Sequence, residues 1–275
     1  MERDGSERAE QAHEHEHVHV HEQEHVKVDE RGGVLRIVLN RPKGNVLDMA
    51  MLGAISAALE GADELVKVVV FEGAGANFCF GASVAEHVRE RAPSMLKQFH
   101  GLFRRLARLS IPTAAIVRGA CLGGGCELAA WCTWVFASPE ARFGQPEVRL
   151  GVVPPIASLV LPWRLGGGRG LDLCVSGRSL SAQEALAFGL VNEVADDPAA
   201  ACAAFLAKNV LPSSASSLRF AERAGRAALY RLVESELPRL EELYLDELMA
   251  TPDANEGIAA FLEKRAPVWA SGASS

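Results

Sequence analysis

Three consecutive glycines, Gly123, Gly124 and Gly125, stand immediately before a largely apolar segment that contains one acid, Glu127. Glycines let the backbone turn sharply and let a ligand approach it closely. Where such a turn opens a helix, its free N–H groups favour an anion or a developing oxyanion. A tight strand-to-helix turn without a ligand is the alternative, and the glycines alone do not decide between the two. The spacing matches neither a dinucleotide-binding G-x-G-x-x-G nor a P-loop.

Two glutamates occur in apolar surroundings, where an ionised carboxylate is costly unless it is paired or functional. Glu127 follows the glycines directly, and burial would raise its pKa toward the range that acid–base catalysis uses. Glu147 follows Pro146 in a second, mostly apolar stretch. The alternatives are an acid that stabilises a helix N-terminus for Glu127 and an exposed loop acid for Glu147. Together with the glycines, these acids mark the part of the chain where chemistry is expected.

An alternation of strands and helices must position these segments. The apolar patterns predict strands at residues 34–39, 66–71, 113–117 and 134–137, and helices at 49–65, 92–109 and 126–131. Asp48 is a candidate N-cap of the first helix. The alternation predicts an α/β domain with parallel strands. From Ser213 the chain becomes charged and helical through Met249, and a short helix at 255–264 follows.

The charge of the chain is concentrated at its N-terminus. The 275 residues carry a formal net charge of −7, and residues 1–25 contribute −6 of it together with six of the eight histidines. This composition predicts a disordered acidic arm at 1–25, followed by a core at 26–212, a C-terminal helical region at 213–270 and a tail at 271–275. The alternating histidines of the arm could hold a transition metal, although a solvated leader is the simpler explanation.

Composition also excludes several classes of function. A nearly neutral body lacks the basic face that nucleic-acid binding needs. No apolar run approaches the roughly 18–20 residues of a transmembrane helix, and the N-terminal residues are too acidic for a signal or transit peptide. Six cysteines without a C-x-x-C pair are typical of free thiols in a reducing cytoplasm. We therefore expect a cytoplasmic protein that binds neither nucleic acid nor a membrane.

Several segments, taken in order, resemble the enoyl-CoA hydratase/isomerase (crotonase) family. The resemblance runs over about residues 26–270, and its matching segments are 39–43, 78–84, 123–129, 143–147, Gly151 and 253–269. It implies an α/β fold built as a spiral of ββα units, with a C-terminal helical region that makes subunit contacts in a trimer or a dimer of trimers. It also implies an acyl-CoA substrate, no metal, and no cofactor beyond the coenzyme A that the substrate carries.

The resemblance assigns roles to individual residues. In that family the N–H groups of the residues matching Ala82 and Gly124 form an oxyanion hole for the thioester carbonyl. By the same resemblance Glu127 holds and activates water, and Glu147 exchanges a proton with C2. The division between the two acids stays open, because nearby carboxyl groups titrate as a pair. Further substrate or CoA contacts are implied for Lys43, Val46, Phe80, Ser83, Val84, Ala85, Pro155, Phe261 and Lys264.

Some positions depart from the commonest family pattern. Ser83 stands where many members have an aspartate, and Pro154-Pro155 replace a glycine-rich stretch. Two prolines stiffen that loop and remove N–H donors, so we expect an acyl group other than a simple straight chain. These features resemble the cyclohexa-1,5-diene-1-carbonyl-CoA hydratases, which act on a cyclic dienoyl-CoA. For Trp131 and Trp134, core packing is the simplest explanation.

Three functions remain open. A hydratase acting on an α,β-unsaturated acyl-CoA is favoured, since both acids are present. A decarboxylase or dehydratase of the same fold, acting on carrier-bound or CoA-bound intermediates, is the first alternative. A metal-binding or scaffold protein that uses the histidine-rich arm is the second, and the intact acids and glycines argue against it.

For Phe261 and Lys264, the alternative to CoA contact is that they lie on a surface helix with an ordinary amphipathic stripe.

Overall fold

The computed structural model describes residues 19–23 and 25–270. The strands in this part of the chain are β1 (His19–Gln23), β2 (Val26–Arg31), β3 (Val34–Leu39), β4 (Val68–Gly73), β5 (Thr113–Val117), β6 (Ala120–Leu122), β7 (Trp134–Ala137), β8 (Arg142–Gly144), β9 (Ser179–Ser181) and β10 (Glu193–Val194). The predictions for residues 1–18 and for the tail at 271–275 lie outside the described residues.

Helices account for most of the remainder. They are α1 (Met49–Glu60), α2 (Ala92–Leu109), α3 (Gly124–Trp131), α4 (Pro155–Leu165), α5 (Gly167–Ser176), α6 (Ala182–Phe188), α7 (Pro198–Asn209), α8 (Ala215–Gly225), α9 (Ala227–Ser235), α10 (Leu237–Glu242) and α11 (Pro252–Leu262). Three 3-10 helices cover Val84–Glu86, Pro146–Leu150 and Leu248–Ala250, and a π-helical turn covers Leu243–Glu247. None of the described helices combines the length and apolarity needed to span a bilayer.

A mixed sheet lies at the centre of the fold. Its strand order is β1-β2-β3-β4-β5-β7-β10, and the strands from β3 onward pair in parallel, as the alternation predicted. The pairs β1–β2 and β2–β3 are antiparallel. Gly32 and Gly33, both with positive φ, form the two-residue hairpin between β2 and β3. A second sheet, β6-β8-β9, lies beside the first helix turn of α3.

The element predictions are accurate where a cap or a long apolar run marks the boundary. The bounds of α2, β5 and β7 agree with the prediction, and Asp48 caps α1 by accepting a hydrogen bond from Met51 N at 3.0 Å. The helix predicted to reach residue 65 ends instead at Glu60. Asp63 Oδ1 accepts from the N–H groups of Leu65 and Val66, and this local turn replaces the last helical turn.

Strand β1 corrects the predicted start of ordered structure. It lies within the range 1–25 that composition assigned to a disordered arm, and it pairs with β2 from His19 opposite Glu30 to Gln23 opposite Val26. Ladder hydrogen bonds come from the main chain, so a segment of polar composition can still form an edge strand. Ordered backbone therefore begins before Val26.

The core confirms the packing interpretation of the tryptophans. Trp131 is buried, meets the edge of Phe103 at a ring distance of 5.3 Å and stacks on Tyr230. Trp134 packs against Phe205 with ring centroids 5.3 Å apart. All six cysteines are free, as expected.

Candidate active site

A cavity of about 60 Å³ lies where the loop after β4, the start of α3 and the segment before α4 meet. Seven of the residues selected from the sequence line it: Phe80, Ala82, Val84, Gly124, Glu127, Glu147 and Pro155. Three of the segments that match the family, 78–84, 123–129 and 143–147, therefore converge on one site.

Two backbone N–H groups lie side by side at this cavity. Leu47 N donates to Gly81 O at 2.9 Å, and Ser83 N donates to Leu47 O at 3.3 Å, which forms a short parallel bridge. Because the bridge uses the groups on either side of Ala82, the Ala82 N–H is directed to the opposite side. A Cβ placed on Gly124 would lie 3.1 Å from the Ala82 nitrogen. The Gly124 N–H begins α3 and so has no acceptor within that helix.

Close approach explains each of the three glycines. Gly123 has a φ of +50°, and a Cβ there would lie 2.7 Å from Glu147 Oε1. A Cβ on Gly125 would lie 2.5 Å from the Cβ of Cys79. Gly125 is therefore required by packing, whereas Gly123 and Gly124 leave room for groups at the cavity. The sequence left open whether the glycines serve a ligand or only a tight turn. The structural explanation applies to Gly125, and the ligand explanation applies to Gly123 and Gly124.

A hydrogen bond of Glu127 connects the first turn of α3 with the first turn of α4. Glu127 lies in the first turn of α3 and is only 3% exposed, and its Oε1 accepts a hydrogen bond of 2.7 Å from Ala157 N in the first turn of α4. Burial raises the pKa of Glu127 to about 7, against the opposing effect of the Ala157 and Ile156 N–H groups. The carboxyl group is thus poised to gain or lose a proton near neutral pH.

The two prolines have a more specific role than the stiffening predicted from the sequence. Pro155 is the first residue of α4, where its missing N–H would have no helical acceptor in any case. The next two residues, Ile156 and Ala157, provide the N–H groups that face Glu127. The prolines therefore start a helix whose N-terminus holds the acid.

Glu147 lies in the 3-10 helix Pro146–Leu150 and is half-buried. Burial and the neighbouring charge of Glu127 raise the pKa of Glu147 well above its ordinary value. The side-chain amide of Gln145, which is fully buried, lies 3.0 Å from both carboxyl oxygens when its nitrogen faces them and donates to both. The two glutamates therefore share protons as a pair, with Gln145 fixing the orientation of one of them.

The cavity also contains side chains that the sequence did not identify. His87, His100 and Tyr244 line it, and the two histidines are the only ones after residue 25. His87 Nδ1 lies 2.8 Å from Ser83 O, and burial lowers the pKa of His87. The sequence could have indicated these two histidines, because histidine is otherwise absent after residue 25.

The remaining predicted contacts lie outside the cavity wall. Lys43 is exposed and precedes Gly44, whose carbonyl accepts a hydrogen bond from Phe80 N at 2.8 Å. Phe261 and Lys264 are exposed at the end of α11. Val46, Ser83 and Ala85 are next to residues of the site in the chain but do not line the cavity. CoA contact by this group stays a prediction. Residues 25–270 contain no cluster of His, Cys, Asp and Glu side chains suited to a metal ion.

The raised pKa of Glu127 predicts how stability changes with pH. The carboxyl keeps its proton up to a pKa of about 7 in the folded protein, against an ordinary value of 4.5. Between pH 4.5 and about pH 7 the folded state binds more protons than the unfolded state. Raising the pH through this range therefore lowers the free energy of unfolding. We expect Glu127→Gln to raise the melting temperature at pH 8 and to change it little at pH 5. Identical pH slopes in thermal melts of the two proteins would contradict this.

Comparison with known proteins gives matches over nearly the whole chain. A family model described as Enoyl-CoA hydratase/isomerase matches residues 29–272. Cyclohexa-1,5-dienecarbonyl-CoA hydratase from Thauera aromatica is 44% identical over 248 residues, which cover 89% of this chain and 95% of the relative. 2,3-dehydroadipyl-CoA hydratase from Escherichia coli K12 is 35% identical, with 87% and 96% covered.

Solved structures show the same fold. An enoyl-CoA hydratase from Mycobacterium avium subsp. paratuberculosis K-10 superimposes with a TM-score of 0.78 at 30% identity, covering 89% of this chain and 98% of that structure. Carnitinyl-CoA hydratase from Mycobacterium avium gives a TM-score of 0.77 at 32% identity, covering 91% and 100%. The crotonase-like α/β fold expected from the sequence is thereby confirmed.

Proposed function

Because this chain belongs to the enoyl-CoA hydratase/isomerase family, we propose that it adds water to an α,β-unsaturated acyl-CoA, using Glu127, Glu147 and two backbone N–H groups. The observation that carries the proposal is their position in one cavity: two carboxyl groups with raised pKa values beside the adjacent N–H groups of Ala82 and Gly124.

Each group has a task in the proposed reaction. The N–H groups of Ala82 and Gly124 hold the thioester oxygen, where negative charge develops when oxygen adds to C3. Glu127 takes a proton from the attacking water, and the resulting hydroxide forms the new C–O bond at C3. The electron pair of the double bond moves toward the thioester, and C2 then takes a proton from Glu147. The net reaction adds one water molecule. A proton then passes from Glu127 to Glu147, which returns both acids to their starting protonation states.

The proposed reaction moves protons and adds water, so it requires neither a metal nor a redox cofactor beyond the coenzyme A of the substrate. We further propose a trimer or a dimer of trimers in the cytoplasm. Exposed apolar side chains in the C-terminal region support an interface, among them Phe220, which is 64% exposed.

A cyclic dienoyl-CoA is the acyl substrate that we propose. Apolar side chains of α2 and of the segment before α4 line the cavity beside the glutamates, including Leu96, Phe99, Val152 and Val153. The 44% identical relative bears the name of a cyclic dienoyl-CoA hydratase. A compact apolar wall next to two acids suits a ring better than a long flexible chain.

A substrate panel tests this function. We expect cyclohexa-1,5-diene-1-carbonyl-CoA to be hydrated with a higher kcat/KM than crotonyl-CoA or a branched 2-enoyl-CoA, as followed by loss of the conjugated thioester absorbance and by mass spectrometry of the product. Preference for crotonyl-CoA would contradict the cyclic substrate. No hydration of any of the three would contradict the proposed activity itself.

A further inference from the structure

Two buried polar atoms of the cavity wall have no hydrogen-bond partner among the described residues. They are His100 Nε2 and Tyr244 Oη. Both side chains line the cavity, His100 is fully buried, and Tyr244 is 1% exposed. Burying a polar atom without a partner costs free energy of about 1–3 kcal/mol, so two such atoms in the wall of one cavity call for an explanation, and a bound ligand is one. The proposed hydration uses neither of them.

The other side of the histidine ring is held firmly. His100 Nδ1 lies 2.7 Å from Glu241 Oε1, and Arg104 Nη2 donates to the same oxygen at 2.9 Å. Because an ionised carboxylate accepts hydrogen bonds only, His100 donates its proton from Nδ1. Burial lowers the pKa of His100, which keeps the ring neutral. His100 Nε2 therefore presents a lone pair to the cavity and acts as an acceptor.

Tyr244 provides a donor in the wall of the same cavity. It lies on the π-helical turn Leu243–Glu247, three residues after Glu241, so the same stretch of chain orients the histidine and carries the tyrosine. Single π-helical turns occur frequently at functional sites. Burial and the charges of Glu147 and Glu127 raise the pKa of Tyr244, and its hydroxyl stays protonated.

From this arrangement we propose that the His100–Tyr244 pair binds a hydroxyl group on the part of the acyl group that is remote from the thioester. A hydroxyl donates to His100 Nε2 and accepts from Tyr244 Oη, whereas a methylene satisfies neither atom and a carbonyl oxygen satisfies only the tyrosine. The inference rests on the proposed function in placing the acyl group in this cavity. Within the proposed class of cyclic dienoyl-CoA thioesters, it favours those that carry an alcohol beyond the carbons that react.

The pair lies on other elements than the acids. His100 is on α2 and Tyr244 on the π-helical turn, whereas Glu127 is on α3 and Glu147 on the 3-10 helix Pro146–Leu150. A group that contacts the pair is therefore held by other elements than those that hold the reacting water.

Binding of unreactive saturated analogues tests the inference without requiring turnover. The probes are cyclohexanecarbonyl-CoA and its 3-hydroxy and 4-hydroxy derivatives, with Kd measured by calorimetry on the full chain. For the wild type we expect at least one hydroxy derivative to bind about tenfold more tightly than the plain ring. In Tyr244→Phe this ratio should fall close to one, while the Kd of the plain ring changes little.

Two further variants complete the test. Tyr230→Phe is the matched control, because Tyr230 is the other tyrosine of the chain and lies outside the cavity wall, stacked on Trp131; it should keep the preference. His100→Leu should lose it, and circular dichroism establishes that each variant is folded. Equal Kd values for the three probes in the wild type, or a preference that survives both Tyr244→Phe and His100→Leu, would overturn the inference. An intact hydroxyl preference without hydration of any enoyl-CoA would support the inference and overturn the proposed function.

Discussion

Glu127→Gln should lower kcat for hydration by about a thousandfold or more, while acyl-CoA binding is preserved. General acid–base catalysis contributes roughly 10²–10⁴-fold to a rate, and a glutamine cannot accept a proton from water. The substitution keeps the shape of the side chain, and its amide oxygen can still accept the 2.7 Å hydrogen bond from Ala157 N. The loss should therefore appear in kcat and not in folding.

The control for this variant is the same chemical change at an exposed acid. Glu140 is exposed and lies outside the cavity, so Glu140→Gln should hydrate at the wild-type rate. Steady-state kinetics on the preferred enoyl-CoA, together with the Kd of a saturated analogue, separate loss of chemistry from loss of binding. Turnover of Glu127→Gln within tenfold of the wild type would rule out the role proposed for this acid.

Gly124→Ala should lower kcat/KM by about a hundredfold or more, although it adds only one methyl group. The new Cβ would lie 3.1 Å from the Ala82 nitrogen and 3.0 Å from the ring of Phe99. It therefore occupies the space into which the thioester oxygen must come to reach both N–H groups. Loss of one oxyanion donor typically costs 10²–10³-fold in rate, or about 3–4 kcal/mol.

Gly101 offers a matched control for the same substitution. It lies in α2, and a Cβ placed there meets no atom within 4 Å. Gly101→Ala should retain activity and raise the free energy of unfolding by about 0.5–1 kcal/mol, because alanine favours a helix interior over glycine. If Gly124→Ala and Gly101→Ala are equally active, the N–H group of Gly124 does not stabilise the oxyanion.

Local sequence patterns are sufficient for the elements that depend on local causes. Helix α2 has a continuous amphipathic stripe, and β5 is a short apolar run between turn residues, so their bounds can be predicted. The positions of Glu127 and Glu147 follow from a segment order that is specific to the family. The early end of α1 was missed because one Asp63 side chain forms a turn that no helix pattern reveals.

The His100–Tyr244 pair and Gln145 could not be found in this way. His100 and its partner Glu241 are 141 residues apart in the chain, and nothing in the local sequence of either indicates the other. Gln145 lay within a segment selected for its glutamate, yet its function depends on the orientation of one amide group toward Glu147. Such long-range polar contacts are properties of the tertiary structure alone.

The position of helix α11 determines when the segment that carries Glu147 can complete its packing during synthesis. A Cβ on Gly151 would lie 2.6 Å from Asp253 O, and one on Gly257 would collide with Leu150 O, so α11 fits directly against the end of the 3-10 helix that carries Glu147. The ribosome makes α11 after every other described element. A nascent chain can assemble its sheet earlier, but the segment bearing one of the two acids gains its final support only when α11 emerges. The final packing around Glu147 is thus complete only after α11 has been synthesised.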